Sequence, residues 1–350
     1  MPYREPSWWY AASPSPAARL LVPLSKVYGF FSARRMGRAP EYVSTLPIIC
    51  IGNFTAGGTG KTPLSLWIAG HLQARGHNTV FLTRGYGSAA REPTRVDPQS
   101  HTAADVGDEA LLLARVAPVM ISPDRQAGAR AIEENGLGAD VILMDDGLQN
   151  PSLAKDMTIC VVDGERQFGN GHIIPAGPLR GPLDLQLSKT DLIVVNGRSD
   201  DRERLSARLA GRFRGPMVVA RQEPAEGTAW LKGARVIAFA GIGNPARFLR
   251  LLEQHGATVI SAHVFSDHHP YSDEETSALL QAAEASGAIL VTTEKDYVRL
   301  KSTGAQGALK AATRQLKIVL SFAGEDEAIL MQRVYDAINR RKTAAAQPPE

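Results

Sequence analysis

The sequence holds only two cysteines, Cys50 and Cys160, each inside an apolar run. That excludes a disulfide framework and reads as buried thiols in a reducing compartment. No apolar run approaches the ~18 residues that a membrane-crossing helix needs. The start lacks a basic segment followed by a long apolar stretch and an Ala-rich cleavage site, so export is not expected. The net charge, +3 over 350 residues, is too small to call for a nucleic-acid partner. Acids are missing from one stretch, since none occurs between Glu5 and Glu41. Trp8, Trp9 and Tyr10 cluster there, and Leu20, Leu24, Val27, Tyr28 and Phe31 follow at helical spacing. Arg19, Lys26, Arg34, Arg35 and Arg38 surround that stripe. Residues 1–40 therefore suit a helix lying on an anionic membrane surface. A helix packed on its own domain suits them equally. Pro23 must open such a helix or kink it.

What is present describes an ordinary globular chain: 44% hydrophobic and 21% charged residues, enough to build packed cores. The length favours two domains over one. From residue 47 onward, apolar strand-like runs alternate with helical patterns. Strands are expected at 47–53, 78–83, 119–122, 140–145, 157–162, 191–196 and 217–221, with helices at 63–75, 108–117, 124–135 and 201–212. Runs without polar alternation, separated by helices, indicate mostly parallel sheets covered on both faces. The polar, turn-rich segment 222–234 reads as a linker between a first domain (41–221) and a second (235–342). Strands at 235–240, 257–264, 288–293 and 316–321 and helices near 245–255, 273–286 and 325–341 would build that second domain. A frayed tail is expected at 343–350. The fold class is α/β, two α/β/α domains, the first of P-loop NTPase type.

The strongest signal lies at 47–63. The apolar run Ile48–Ile51 stops at a Gly-rich turn, and Gly60-Lys61-Thr62 stands at the head of a helical pattern. Strand, flexible loop and helix start form the context of a phosphate-binding loop. Glycines let successive N–H groups converge on anionic oxygens, and the helix N-terminus adds partial positive charge. The cofactor-binding stretch is Thr55, Ala56, Gly57, Gly58, Thr59, Gly60, Lys61 and Thr62. Lys61 would reach the β- and γ-phosphates, and the Thr62 hydroxyl would bind Mg²⁺. Thr55 stands where the usual pattern has its first Gly.

Other motifs supply candidate chemistry. Val141–Met144 runs into Asp145-Asp146-Gly147-Leu148-Gln149, strand-end acids suited to Mg²⁺. Either Asp145 or Asp146 could meet the metal, because successive strand residues point to opposite faces. Gly107-Asp108-Glu109 opens a helix, where acids complement the dipole or place a carboxylate to accept a hydroxyl proton. Asp267-His268-His269 and Thr293-Glu294-Lys295-Asp296 end two strands of the second half, so both can face one cleft. The histidines fit a general base or proton relay as well as zinc, and a solvated charge run also explains the second motif. Gly241-Ile242-Gly243-Asn244-Pro245-Ala246 fits a dinucleotide pattern, but no acid closes the next strand. Tight strand-to-helix packing explains it better. Arg84 and Arg125 follow strands, and Arg180 sits in a Pro-rich loop. Ligands gather at the carboxyl ends of parallel strands, so these arginines suit an anionic substrate or a developing phosphoryl charge.

Taken in order, the motifs at 52–63, 83–87, 107–109, 145–149, 175–180, 267–269 and 293–296 resemble the tetraacyldisaccharide 4'-kinases, the lipid A 4'-kinases of Gram-negative bacteria. The resemblance runs over about residues 20–335. It implies ATP and Mg²⁺ as cofactors and transfer of the γ-phosphate to the 4'-hydroxyl of a lipid A disaccharide 1-phosphate. The setting would be the cytoplasmic face of the inner membrane, with the substrate between two α/β/α domains. It implies Asp108 as base and His268 as the residue that orients or charges it, with Lys61 and Arg180 completing the catalytic group. Arg84, Arg125 and Gln149 fall to the substrate, and the N-terminal helix tips toward membrane contact. The family usually has Glu after the Arg of the Pro-rich loop, whereas this chain has Gly181. The rivals are a metal-insertion GTPase of P-loop type, disfavoured by Ala56 where dimeric members carry Lys, and a membrane-recruited nucleotide switch.

Overall fold

The computed structural model describes residues 5–11, 15–134 and 137–346. Helix α1 (Pro16–Met36) is followed by β1 (Ile48–Gly52), α2 (Lys61–Ala74), β2 (Thr79–Thr83) and β3 (Thr94–Arg95). Next come α3 (Ala103–Val106), α4 (Asp108–Leu113), β4 (Val119–Ile121), α5 (Arg125–Glu134), β5 (Val141–Asp145) and β6 (Met157–Asp163). The chain continues through α6 (Leu183–Leu187), β7 (Leu192–Asn196), α7 (Ser199–Arg208), β8 (Met217–Pro224) and β9 (Arg235–Ala240). Then follow α8 (Pro245–Gln254), β10 (Thr258–Val264), α9 (Asp273–Ser286), β11 (Ile289–Thr293) and α10 (Glu294–Arg299). The last elements are α11 (Gly304–Ala312), β12 (Thr313–Leu316), β13 (Ile318–Phe322) and α12 (Asp326–Ala346).

Among the described residues these strands form two sheets, in the orders β13-β8-β7-β6-β1-β5-β2-β4-β3 and β10-β9-β11-β12. Pairing is parallel except at the two edges of the large sheet, β13 with β8 and β3 with β4. The pleat explains the layers. Ile49 and Ile51 of β1 face one core with α2, α4 and α12, while Ile48 and Cys50 face the opposite core with α5. The small sheet is covered in the same way, by α8 on one face and by α9 and α11 on the other. The fold class is the α/β architecture expected.

Several boundaries need correction. One strand was expected at 316–321; there are two, and Lys317 separates them. β12 pairs with β11 in the small sheet, whereas β13 crosses back and pairs antiparallel with β8. Leu330, Val334 and Ile338 of α12 then bury in the large sheet's core, so the second unit does not run on to 342. The segment 222–234 is not a free linker either. β8 runs on to Pro224, and Leu231 is buried in the small sheet's core. The helix expected at 108–117 stops at Leu113. α12 continues to Ala346, past the expected start of the tail, and residues 347–350 lie outside the described residues.

Of the two readings of the N-terminal segment, packing through the apolar stripe is not what forms; 1–4 and 12–14 of it lie outside the described residues. Ser15 caps α1 by accepting from Ala18 N, Pro16 takes the first turn, and Pro23 sits inside the helix. The face turned inward is small: Ala18, Ser25, Gly29 and Ser32, ending at Met36. Ser25 Oγ donates to Ile173 O at 2.7 Å and Ser32 Oγ to Arg180 O at 2.8 Å. The bulky stripe of Leu20, Leu24, Val27, Phe30 and Phe31 faces outward. Trp9, expected at an interface, is instead buried, its Nε1 donating to Pro175 O at 3.0 Å.

Candidate active site

The loop between β1 and α2 lies at the carboxyl end of the large sheet's central strand. Gly60 has φ 98°, and a Cβ there would run into the Asn196 side chain, so only glycine fits. The loop is braced from both sides. Asn196 Nδ2 donates to Thr59 O at 2.9 Å and Asn53 Nδ2 to Thr59 Oγ1 at 3.2 Å. Thr55 bridges to Leu179, and Ala56 N donates to Pro178 O at 2.8 Å. Ala56, expected among the phosphate donors, therefore has its N–H engaged by protein. The N–H groups from Gly57 to Thr62 donate to no described residue. A run of unengaged donors at a helix start is an anion cradle.

The β5 acids meet this cradle in different ways. Arg180 Nη1 donates to both Asp146 oxygens, at 2.6 and 2.8 Å, and Lys61 Nζ lies 3.7 Å from Asp146. Burial pushes the Asp146 carboxyl up, but Arg180 and Lys61 outweigh it and hold it well below the usual carboxylate range. Asp145 is buried; Ser65 Oγ donates to its Oδ1 at 3.3 Å, and its Oδ2 has no partner. Burial, with Glu109 adding to it, pushes Asp145 up to about 7. The orphaned Asp145 oxygen, the Asp146 carboxylate and the Thr62 hydroxyl are all oxygen donors, the chemistry that suits a hard cation such as Mg²⁺.

The expected substrate residues divide. Arg84 is exposed and lines the cleft. Arg125 also lines it but is buried, donating Nη1 to Ser122 O at 2.7 Å, and burial pushes it down to about 10. Gln149 braces the loop: its Nε2 donates to Asn53 O at 2.8 Å and Gln186 Oε1 at 2.9 Å. That amide is engaged by protein and not free for a substrate.

The small sheet supplies the opposite wall. His268, with φ 59°, places Nδ1 3.0 Å from Asp108 Oδ2. Lys295 Nζ lies 3.1 Å from Glu109, 3.2 Å from Asp267 and 3.4 Å from His268 Nε2. The two strand-end motifs thus share one cleft. His269 turns away to Glu275, at 2.8 Å. Burial would push the Asp108 carboxyl up; the His268 bond and the charges of Lys295 and Arg299 overcome it and hold it well below the usual range. Asp108 stands behind His268, only 4% exposed, with both oxygens accepting hydrogen bonds. The two sheets also touch at glycines, because a Cβ on Gly243 would sit 2.5 Å from Gly58 N. Asn244 caps α8, with Pro245 in its first turn, as tight packing requires. The cleft measures about 1880 Å³, larger than a small-ligand pocket and roomy enough for two substrates.

A model of the tetraacyldisaccharide-1-P 4'-kinase family matches residues 17–338. The chain belongs to that family. It is 46% identical over 336 residues to a tetraacyldisaccharide 4'-kinase of Nitrobacter winogradskyi, covering 96% of this chain and 98% of the relative. A tetraacyldisaccharide 4'-kinase of Rhodopseudomonas palustris is 44% identical, covering 97% and 98%. The fold is also similar to the crystal structure of LpxK from Aquifex aeolicus in complex with ATP. The TM-score is 0.68 at 24% identity, covering 92% of this chain and 99% of that one. A match across both sheets leaves the GTPase and switch readings without support. For a tetraacyldisaccharide 4'-kinase, Gly181 has a local cause. A Cβ there would lie 2.9 Å from Ser32 Oγ, so α1 occupies the space a larger side chain would enter.

Sequence reasoning missed residues that this kinase fold brings to the cleft. Arg299 donates Nε to Asp108 Oδ2 at 3.1 Å. Its signal was available, one helical turn after Lys295 and on the same face. Glu5 Oε2 pairs with Arg166 Nη1 at 3.0 Å, between Gly57 and Gly243, and burial pushes it up to about 7 against the Arg166 charge. No local pattern marks Glu5, because its partners lie far along the chain.

Proposed function

We propose that this chain transfers the γ-phosphate of ATP to the 4'-hydroxyl of a tetraacyl disaccharide 1-phosphate, with Mg²⁺, at an anionic membrane surface. One observation carries the reading: Asp108 and His268 meet from the two sheets, and His268 lines the same cleft as Lys61 and the unengaged N–H groups of 57–62. Those N–H groups and Lys61 would hold the β- and γ-phosphates, and Thr62, Asp145 and Asp146 would hold Mg²⁺. When bound, Mg²⁺ neutralises charge on the phosphate oxygens. Arg180, fixed by Asp146, and Arg84 add positive charge where the transferred phosphoryl passes.

The 4'-oxygen bonds to the γ-phosphorus, the bond to the ADP oxygen breaks, and the hydroxyl proton goes to the Asp108–His268 pair. Assigning the base to Asp108 alone requires that one of its bonds open first. A second order is favoured by the exposure of the two groups. His268 lines the cleft and takes the proton on Nε2, 3.4 Å from Lys295 Nζ, while Asp108 accepts from Nδ1 and steadies the resulting cation. Among the described residues no helix is long and apolar enough to cross a membrane. The outward stripe of α1 supports a helix resting on lipid, with its basic flanks toward anionic head groups. That arrangement fits the cytoplasmic face of the bacterial inner membrane, where ATP meets an acylated sugar.

The test uses the full chain in mixed micelles with γ-labelled ATP and acylated disaccharide 1-phosphate. Label should move to the lipid, and Asp108→Asn and His268→Gln should each lower kcat by roughly 10²–10⁴. ATP consumption at an equal rate without the acylated acceptor would refute the reading.

A further inference from the structure

We infer that Arg299 is a positioning residue for this reaction, holding Asp108 from the opposite sheet so that the proton-accepting pair forms only when the two halves are closed. The inference rests on the reading of Asp108 and His268 given above. Arg299 ends α10 of the small sheet, and its side chain is 7% exposed. Its own half fixes it first: Nη1 donates to Asp296 Oδ1 at 2.7 Å and to Gly241 O at 3.3 Å. Asp296 is itself fully buried and accepts from Gly241 N at 2.9 Å, Tyr271 Oη at 2.8 Å and Thr293 Oγ1 at 2.6 Å. A guanidinium anchored along one edge has little freedom left.

The remaining edge points at the other half. Nε donates to Asp108 Oδ2 at 3.1 Å, and Nη2 makes a shorter contact to the same oxygen. Asp108 opens α4, whose other neighbours belong to the large sheet's core. Arg299 and His268 therefore grip one carboxylate from the small sheet, and neither grip survives if the halves part. The charge pattern explains the need for both. Glu109, Asp267, Asp108 and Asp296 gather here, against Lys295 and Arg299, with the Tyr86 ring 5.1 Å from His268. Without Arg299, Asp108 would keep His268 as its one side-chain hydrogen-bond partner, beside the Glu109 N–H on Oδ1, and could rotate away from His268 Nδ1. Misplacement of a reacting group by about 1 Å costs roughly 10²-fold in rate.

The test compares Arg299→Gln and Arg299→Lys in the full chain, with Asp108→Asn, His268→Gln and the Asp108→Asn/Arg299→Gln pair alongside. Arg299→Gln should lower kcat roughly 10²-fold with KM for ATP within about twofold of wild type. The acid limb of its kcat/KM–pH profile should move to higher pH, because a cation beside the pair is gone. Arg299→Lys should recover about tenfold and stay about tenfold below wild type, since it restores charge without the fork. In the Asp108→Asn background, Arg299→Gln should add less than about threefold, as residues acting through one another are non-additive. Wild-type kcat and pH profile in Arg299→Gln, or full additivity with Asp108→Asn, would overturn the assignment. If Arg299→Gln does not fold, Arg299→Lys decides alone, and wild-type kcat there sinks it. Normal turnover by both Asp108→Asn and His268→Gln would instead remove the pair itself, and with it the reading on which this inference rests.

Discussion

The outward face of α1 offers a quantitative test, because folding leaves it unused. Leu20, Leu24 and Phe31 are 80%, 59% and 63% exposed, so their truncation removes almost no packing within the protein. Fully burying one such side chain is worth about 1.5–3 kcal/mol, and trimming it to Ala at a half-immersed position forfeits roughly 1–1.5 kcal/mol. The triple variant Leu20→Ala, Leu24→Ala, Phe31→Ala should thus lose about 4 kcal/mol of lipid affinity, close to a thousandfold in partitioning. Alanine keeps the helix propensity, so α1 should persist. Stability should change by less than about 0.5 kcal/mol, the usual outcome at exposed positions. Flotation with vesicles rich in anionic lipid measures the first quantity and thermal unfolding in detergent-free buffer the second. Added salt should weaken the wild type further, because Arg19, Lys26, Arg34, Arg35 and Arg38 lie beside the stripe and each contributes roughly 1 kcal/mol near an anionic surface. Wild-type flotation by the triple variant, or a Tm lower by many degrees, would show that the stripe packs on protein and not on lipid.

Lys61→Ala should weaken ATP binding roughly 10–100-fold by calorimetry, the worth of one charged hydrogen bond; unchanged affinity would place the triphosphate elsewhere. Gly243→Ala puts a Cβ 2.5 Å from Gly58 N, so it should wedge the halves apart and lower kcat at least tenfold while Tm falls little; normal turnover would deny that the halves close on the loop. Glu5 is held protonated by burial up to about pH 7, against an ordinary value of 4.5. Ionising it penalises the folded state, so the penalty is absent below about pH 4.5, grows between 4.5 and 7, and is full above 7. Glu5→Gln should therefore gain on wild type by up to about 3 kcal/mol, or about 4 °C in Tm, at pH 8 but not at pH 4.5. An equal difference at both pH values would mean that Glu5 is not buried as described.

Most of the architecture was legible for a physical reason. Strands of a parallel sheet bury both faces, so β1, β5, β6 and β7 read as unbroken apolar runs, and the loop before α2 declared its chemistry through Gly60-Lys61-Thr62. What stayed hidden depends on contacts between distant residues. β3 is two residues long and carries no pattern. Thr313–Phe322 looks like one strand because local sequence cannot say that the chain changes sheets at Lys317. The Asp108–His268 contact spans 160 residues, so the motifs could suggest both members without showing that they touch. Arg299 was overlooked beside an obvious motif, because a lone Arg on a helix is ordinary until its partner is known.

The inverted packing of α1 teaches the opposite lesson about pattern and place. An apolar stripe on a helix normally marks the buried side, and by that rule Leu20, Leu24 and Phe31 should face the core. Here Ser25, Gly29 and Ser32 make the contact, because the surface beneath them is the backbone of the Pro-rich loop, and only small side chains let the helix approach it. Ser25 and Ser32 donate to that backbone and Ser25 also accepts from Ala176 N, where methyl groups would leave Ala176 N and Arg180 O unpaired. The same close approach fills the space beside Gly181 and anchors the loop that carries Arg180 to Asp146. On the proposed reading, lipid contact and the phosphate site thereby share one rigid element. Enlarging Gly29, whose Cβ would already lie 2.9 Å from Ile173 Cδ1, should displace that loop and slow turnover while the exposed stripe keeps its hold on vesicles.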